Sequence, residues 1–462
     1  MRIPHIIDGN VQKAYAPSPE SVNLLGEHQR KIIAENFSWD KDRIPSLADI
    51  CVHAIKKNFQ ISSLLHELPC SDQAYLLEIL PTNLPLDIAI KVIDKDYYWE
   101  RRYKSTYGGE AEIKEDGYSW MRFYVERYVR HLVEEAEPEN FDEDSLDNIL
   151  ELCCPYVKKL RVRQLQCWKP LLTMEKDEIP EEYPLDRINF KPIFRKLSLI
   201  EEFSLVYGMN NVGENFSKNM YLISVMDCQR LGRALLDLKY LKIVKIHRSR
   251  LEYSHCRALF QNLMKHGQFT ELDLSNCHIG DTGALCVAYL LQNGTNLSTL
   301  KLANNGIGNI GSEGLGFALQ CGTSPNLTML DLRLNPLKTD GTMGILRAMV
   351  RCALPTEISF AACHFEEDTP IKVCQMLRLN QSLKILNISN NWFGMEGGEH
   401  IVEALEYNTT IEWVDFRETG ISSDQGDRIK ASLARNKKIA EVGLETDIGE
   451  LQTGNVFYEA IV

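Results

Sequence analysis

From Leu241 onward, apolar side chains return along this chain on a fixed beat. In FTELDLSNCHIG, Phe269, Leu272, Leu274, Cys277 and Ile279 occupy the first, fourth, sixth, ninth and eleventh places of a short frame. The frame recurs at Leu297 (LSTLKLANNGI), Leu327 (LTMLDLRLNPL), Pro355 (PTEISFAACHF), Leu383 (LKILNISNNWF) and Ile411 (IEWVDFRETGI), and earlier at Leu241 (LKIVKIHRSRL). Successive starts lie 28, 28, 30, 28, 28 and 28 residues apart. Two apolar residues flanking one other, as Leu272 and Leu274 do, predict a short strand with one face turned into a core. The ninth place holds Asn305, Asn335 and Asn391, or Cys277 and Cys363, where the chain turns away. A polar side chain there can satisfy backbone groups that the turn would otherwise bury without partners. Each frame is followed by apolar residues at helical spacing, as in GALCVAYLLQNG (283–294) and GEHIVEALEYN (398–408).

Seven frames in one phase make a leucine-rich repeat solenoid, in which each unit buries its core against its neighbours. A repeat long enough for a full helix resembles the ribonuclease-inhibitor type. The fold class expected is therefore an α/β leucine-rich repeat horseshoe, preceded by an all-α N-terminal domain.

Upstream the pattern changes. Residues 1–22, rich in Pro, Ser and Asn, are expected to form an extended arm, and 23–147 a helical domain broken at Pro45, Pro69, Pro81 and Pro85. SLADICVHAIKKNF places Leu47, Ile50, Cys51, Ala54, Ile55 and Phe59 on one helical stripe, with Ser46 as cap. SDQAYLLEIL repeats the logic, capped by Ser71 or Asp72, and WMRFYVERYVRHLVEEA is a further helix. Residues 148–240 read as irregular first repeats, with strands near Val157–Val162 and 200–208 around the acidic insertion MEKDEIPEEYPLD. The regular repeats span 241–438. The remainder, 439–462, reads as a cap and tail; IAEVGLETDIG (439–449) starts 28 residues after Ile411 and is expected to form a degenerate closing repeat.

Composition narrows the function more than the fold. A net charge of −13 over 462 residues opposes a nucleic-acid-binding surface. No apolar run approaches the roughly 20 residues of a membrane span, and no export signal opens the sequence. The 13 cysteines are scattered without CxxC pairs and read as small buried hydrophobes rather than as metal ligands. GNIGSEGLG (308–316) lacks the GK[ST] ending of a phosphate loop, and neither a GxSxG elbow nor an HExxH pair occurs. His247, His255 and His266 are spread over strand and helix. No catalytic, cofactor or metal site is expected.

Strand residues at the third, fifth and seventh places should point away from the core, onto the concave face. These include Thr299, Lys301, Met329, Asp331, Arg333, Ile385, Asn387, Trp413, Asp415 and Arg417. Both charge signs mixed with exposed apolar groups suit a protein partner, and Lys301, Met329, Asp331, Arg333, Asn387, Trp413, Asp415 and Arg417 are the expected docking residues. An Arg at 333 or 417 could serve as a GTPase-activating finger, but ordinary Asp–Arg contact pairs explain the pattern better.

The N-terminal half carries more specific segments: HQRKIIAENFSW (28–39), LADICVHAIKKNFQ (47–60), LPLDIAIKVIDKDYYWERR (84–102), GYSWMRFYVERY (117–128), CPYVKK (154–159), LVYG (205–208) and Asn215-Phe216. In these the chain resembles the T-complex-associated testis-expressed protein 1 family, the family of dynein regulatory complex subunit 5, from about residue 25 to 425. The resemblance implies a non-enzymatic scaffold of the nexin–dynein regulatory complex in ciliary and flagellar axonemes. Its implied partners are the other subunits of that complex, with contact to doublet microtubules indirect and no nucleic acid, membrane or cofactor involved. Two features depart from the pattern: Pro355 opens its repeat where leucine is usual, suggesting a kink, and the tail beyond about 425 is individual. The alternative is an F-box-like substrate receptor of a ubiquitin ligase. LPCSDQAYLLEILP has some F-box character, but about 70 residues and two acidic stretches separate it from the repeats.

Overall fold

A computed structural model describes residues 46–457, apart from 60–64, 109–113, 140–142, 170–173, 175–179, 181–183, 211–217 and 367; side chains beyond Glu441 are not described. The N-terminal arm and the motifs at 28–39 and 215–216 lie outside the described residues. The chain packs as two units, 1–84 and 85–462, so the helical block expected over 23–147 divides at Leu84.

In the first unit, helix α1 (Leu47–Asn58) opens on a capping box. The Asp49 amide donates to Ser46 Oγ at 3.1 Å, and the Ser46 amide donates back to the Asp49 carboxylate at 3.2 Å. Of the expected stripe Phe59 is buried and Ile55 half-buried, whereas Leu47 and Ile50 are exposed and Val52, off the stripe, is buried. Helix α2 (Cys70–Ile79) starts directly after Pro69 without a side-chain cap. Ser71 and Asp72 lie within its first turn and are not its caps; the fixed φ of Pro69 sets the entry instead.

The second unit begins with α3 (Leu86–Val92), α4 (Asp96–Tyr107), α5 (Trp120–Glu135) and α6 (Glu143–Cys153). Nine parallel strands follow in chain order: β1 (Lys159–Val162), β2 (Glu202–Leu205), β3 (Ile243–Ile246), β4 (Glu271–Asp273), β5 (Thr299–Lys301), β6 (Met329–Asp331), β7 (Glu357–Ser359), β8 (Ile385–Asn387) and β9 (Trp413–Asp415). Between them run α7 (Phe190–Lys196), α8 (Val225–Leu235), α9 (Tyr253–Leu263), α10 (Gly280–Gln292), α11 (Asn309–Gln320), α12 (Lys338–Arg351), α13 (Thr369–Leu379) and α14 (Gly394–Tyr407). Helix α15 (Ser423–Phe457) follows β9. Equivalent frame positions pair throughout: Leu272 with Leu300, Leu300 with Leu330, Leu386 with Val414. All of these are buried, as the alternation requires.

The ninth-place residues work as expected. Asn335 Oδ1 accepts from the amides of Asn305 and Ile307 at 2.9 and 3.1 Å, and its Nδ2 donates to Leu302 and Leu332 carbonyls. Cys277 and Cys363 place a thiol at this position, their Sγ atoms facing the carbonyls of Ile246 and Leu332 at 2.9 and 3.2 Å. Burial pushes both thiols up to about 12, so they stay protonated and able to donate.

Pro355 leaves the strand register intact: the Leu354–Pro355 peptide is cis, and β7 still pairs in register with β6 and β8. In other repeats the first-place amide bonds locally, as Leu327 does to Ser324, so proline removes no ladder bond there. Residues 439–449 form no strand; α15 runs through them.

Candidate protein-docking face

On the sheet face away from the helices, the third places form one row across the strands and the fifth places another. On the first five strands most of these positions are charged, and the charges pair with one another. Glu202 sits between Arg161 Nε and Lys245 Nζ, each at 3.1 Å. Glu115 reaches in from outside the repeats to Lys159 at 2.7 Å and Arg161 at 3.5 Å. His247 Nε2 lies 3.1 Å from Asp273, and Lys301 lies 2.8 Å from Glu271. Sequence inspection missed the Arg161–Glu202–Lys245 chain. The signal was available, because carrying the frame back two repeats, to β2 and β1, puts Glu202 on the third-place row and Arg161 with Lys245 on the fifth.

From β6 to β9 the third-place row changes character to Met329, Glu357, Ile385 and Trp413. Met329 and Ile385 are half-buried, and Trp413 is 43% exposed. Trp392 in the loop after β8 is 74% exposed, and Leu334 in the loop after β6 is 53% exposed. Large apolar groups are thus left in water at the β6–β9 end of this face.

The expected acidic docking residues are less available than their charge suggests. Asp331 and Asp415 are buried, and each carboxylate accepts the amide two residues on, from Arg333 at 3.1 Å and Arg417 at 3.2 Å. Asn387 does the same for Ser389 at 3.0 Å. These polar groups hold the turn after the strand. The arginines point outward: the Arg417 side chain is 81% exposed yet pairs through Nε and Nη2 with both Asp415 oxygens at 2.9 and 2.6 Å. Arg333 Nε pairs with Asp331 at 3.2 Å. Three aspartates at one frame position thus titrate differently. Burial would raise Asp273, but His247 and Ser275 outweigh it and hold the carboxyl at about 2. Burial dominates at Asp331 and raises it, whereas the Arg417 bonds lower Asp415.

A groove of about 570 Å³ runs beside β9, lined by residues 413–423 with Gly426 and Lys430 of α15. Among the described residues, no group of three His, Cys, Asp or Glu side chains is placed to hold a metal ion, and no helix is long and apolar enough to cross a membrane.

Comparison with known proteins agrees with this geometry. A family model described as Leucine Rich repeat matches residues 269–288 and 379–402. Dynein regulatory complex subunit 5 of mouse (Mus musculus) is 32% identical over 268 residues, covering 56% of this chain and 54% of the mouse protein. Its counterpart from Chlamydomonas reinhardtii is 28% identical over 192 residues, covering 42% of this chain and 44% of its own length. The ribonuclease inhibitor of pig (Sus scrofa) is 24% identical over 224 residues, covering 47% and 48%. The chain spans about half the length of the curated relatives it matches. It is similar to dynein regulatory complex subunit 5, and its repeats are similar to those of the ribonuclease inhibitor.

Proposed function

We propose that this chain is a non-enzymatic scaffold subunit of the nexin–dynein regulatory complex in the axoneme of cilia and flagella. It contributes to inter-doublet linkage and to control of dynein-driven motility through contacts with other subunits of that complex, and reaches tubulin only indirectly. The observation that carries the reading is the kinship with proteins of that name in both a mammal and a green alga. The sheet face agrees with it: Trp413, Met329 and Ile385 offer apolar anchors, rimmed by Arg333 and Arg417, suited to a protein rather than a small substrate.

The test is fractionation of ciliated cells expressing the tagged full-length chain. The protein is expected to stay in salt-washed axonemes and to co-purify with the complex's other subunits. Recovery from the cell body in company with ubiquitin-ligase components would overturn the proposal.

A further inference from the structure

Among the described residues, β9 pairs with β8 on one side and with no strand on the other. In each inner repeat, the sixth-place amide donates to the fifth-place carbonyl of the next strand. Leu302 donates to Asp331, Leu332 to Ser359, Phe360 to Asn387 and Ile388 to Asp415, all at 2.7–2.9 Å. The eighth-place amides follow the same rule, Asn390 donating to Arg417 at 2.9 Å. By that rule the amides of Phe416 and Glu418 face a tenth strand, and among the described residues β9 is the end of the sheet. The groove beside β9 follows this edge. An edge with unspent donors and a groove alongside is a template for one more strand.

The chain carries the next frame in phase. Ile439, Val442 and Leu444 stand 28 residues after Ile411, Val414 and Phe416. The residue that ends each late helix is in phase as well. Asn380 and Asn408 terminate α13 and α14 in extended conformation. Asn408 Oδ1 accepts from the amides of Thr410 and Ile411, while its Nδ2 donates to Asn380 O at 2.9 Å in the preceding repeat. Asn436 is completely buried and donates in the same way to Asn408 O at 3.0 Å. Its Oδ1, however, is occupied by Arg435, at 3.1 Å from Nε and 3.0 Å from Nη2, and α15 runs on. The stop is in position, but its acceptor is held by the neighbouring guanidinium.

We infer that the open edge of β9 is a strand-docking site, and that in a second conformation, distinct from the helical one described above, its occupant is residues 439–445 of this same chain. Leaving α15 at Asn436, they add to β9 as a tenth parallel strand. Asn436 Oδ1 then accepts from the amides of Lys438 and Ile439, as Asn408 does one repeat earlier. The register puts Glu441 beside Trp413 and Gly443 beside Asp415. It also brings Glu445 beside the exposed Arg417, an opposite-charge pair across neighbouring strands. A partner's strand or a second copy of this chain would satisfy the same amides but has no such built-in phase.

The test uses the full chain with exposed Cys51, Cys70 and Cys321 changed to Ser. Trp413→Cys with Glu441→Cys should form an intramolecular disulfide in the monomer, since directly paired positions bring Cα atoms to about 5 Å. Trp413→Cys with Val442→Cys, one residue out of phase, should not. Equal cross-linking in both pairs, or none in either, overturns the inference, and a disulfide found only in dimers gives the edge to a second copy. If the cysteine variants misfold, residue-resolved hydrogen exchange on the unmodified chain decides. Phe416 and Glu418 amides should be protected comparably to Ile388, and Val442→Asp with Leu444→Asp should speed their exchange at least about tenfold while leaving Ile388 unchanged. Fast exchange at Phe416 in the unmodified chain, or protection that comes only with added axonemal protein, overturns it.

Discussion

The two ends of this sheet meet the same physical problem in different ways. At the first end α5 lies against β1, and its side chains act as a surrogate strand. Glu126 Oε1 accepts from the amides of Lys158 and Lys159 at 3.0 and 2.9 Å and from the Tyr118 hydroxyl at 2.6 Å. Two turns further along, Glu134 accepts from the Arg163 amide at 2.7 Å. Burial raises both carboxyls, and the bonds they receive oppose that shift. At the last end, Asn436 and Arg435 seal the helix layer against carbonyls of Leu405, Asn408 and Ile411. The sheet layer beyond β9 is left with its edge and Trp413 exposed. The first end is closed by side-chain acceptors and its face carries linked ion pairs; the last end leaves large apolar side chains such as Trp413 exposed.

The largest effect should come from breaking the surrogate strand. Glu126→Ala leaves three donors without their acceptor, and at 1–3 kcal/mol each it should cost about 4 kcal/mol in urea unfolding. Glu126→Gln keeps an acceptor oxygen and should cost less than half as much. If alanine and glutamine behave alike, the carboxylate is not closing the edge.

Next in size is a pH effect from the same half of the molecule. Asp227 on α8 accepts the Arg187 amide through both oxygens at 3.1 Å, and burial pushes its carboxyl up to about 6. The folded protein therefore binds this proton more readily than the unfolded chain, whose carboxyl titrates near 4. The contribution to stability is full below about pH 4 and declines as pH rises toward 6, by at most about 3 kcal/mol. Asp227→Asn should flatten that slope while retaining an acceptor for Arg187. An unchanged slope would place the titrating group elsewhere.

At the far end the effects on stability should be smaller. Asn436→Ala removes two buried bonds to one neighbouring repeat and should cost roughly 2 kcal/mol. A loss as large as that of Glu126→Ala would erase the asymmetry between the ends.

The regular repeats were legible in the sequence because their information is local. Strand alternation, the ninth-place Asn and the following helix recur within 28 residues, and seven agreeing frames leave one register. The Ser46 cap was legible for the same reason. The closing of β1 was not, since Glu126 finds its amides 32 residues downstream and no periodicity links a helix to an edge it covers. Residues 439–449 misled because the strand frame is present while the preceding helix continues through it. On the sheet face away from the helices, alternation put Trp413, Arg333 and Arg417 in the open. It could not show that Asp331 and Asp415 bend back to their own backbone, a local competition that a charge pattern does not reveal.

The central claim is that the β6–β9 end of the sheet face holds the protein to its neighbours without holding the fold together. Trp413→Ala combined with Arg333→Glu tests it most directly, by melting temperature and by retention in salt-washed axonemes of cells lacking the native protein. The account predicts a melting temperature within about 2 °C of the unmodified chain, as for surface changes worth less than about 0.5 kcal/mol, together with loss of the protein from the axoneme. A folded double variant that still assembles would contradict it, and would move the interface to the N-terminal helices or the outer helical layer.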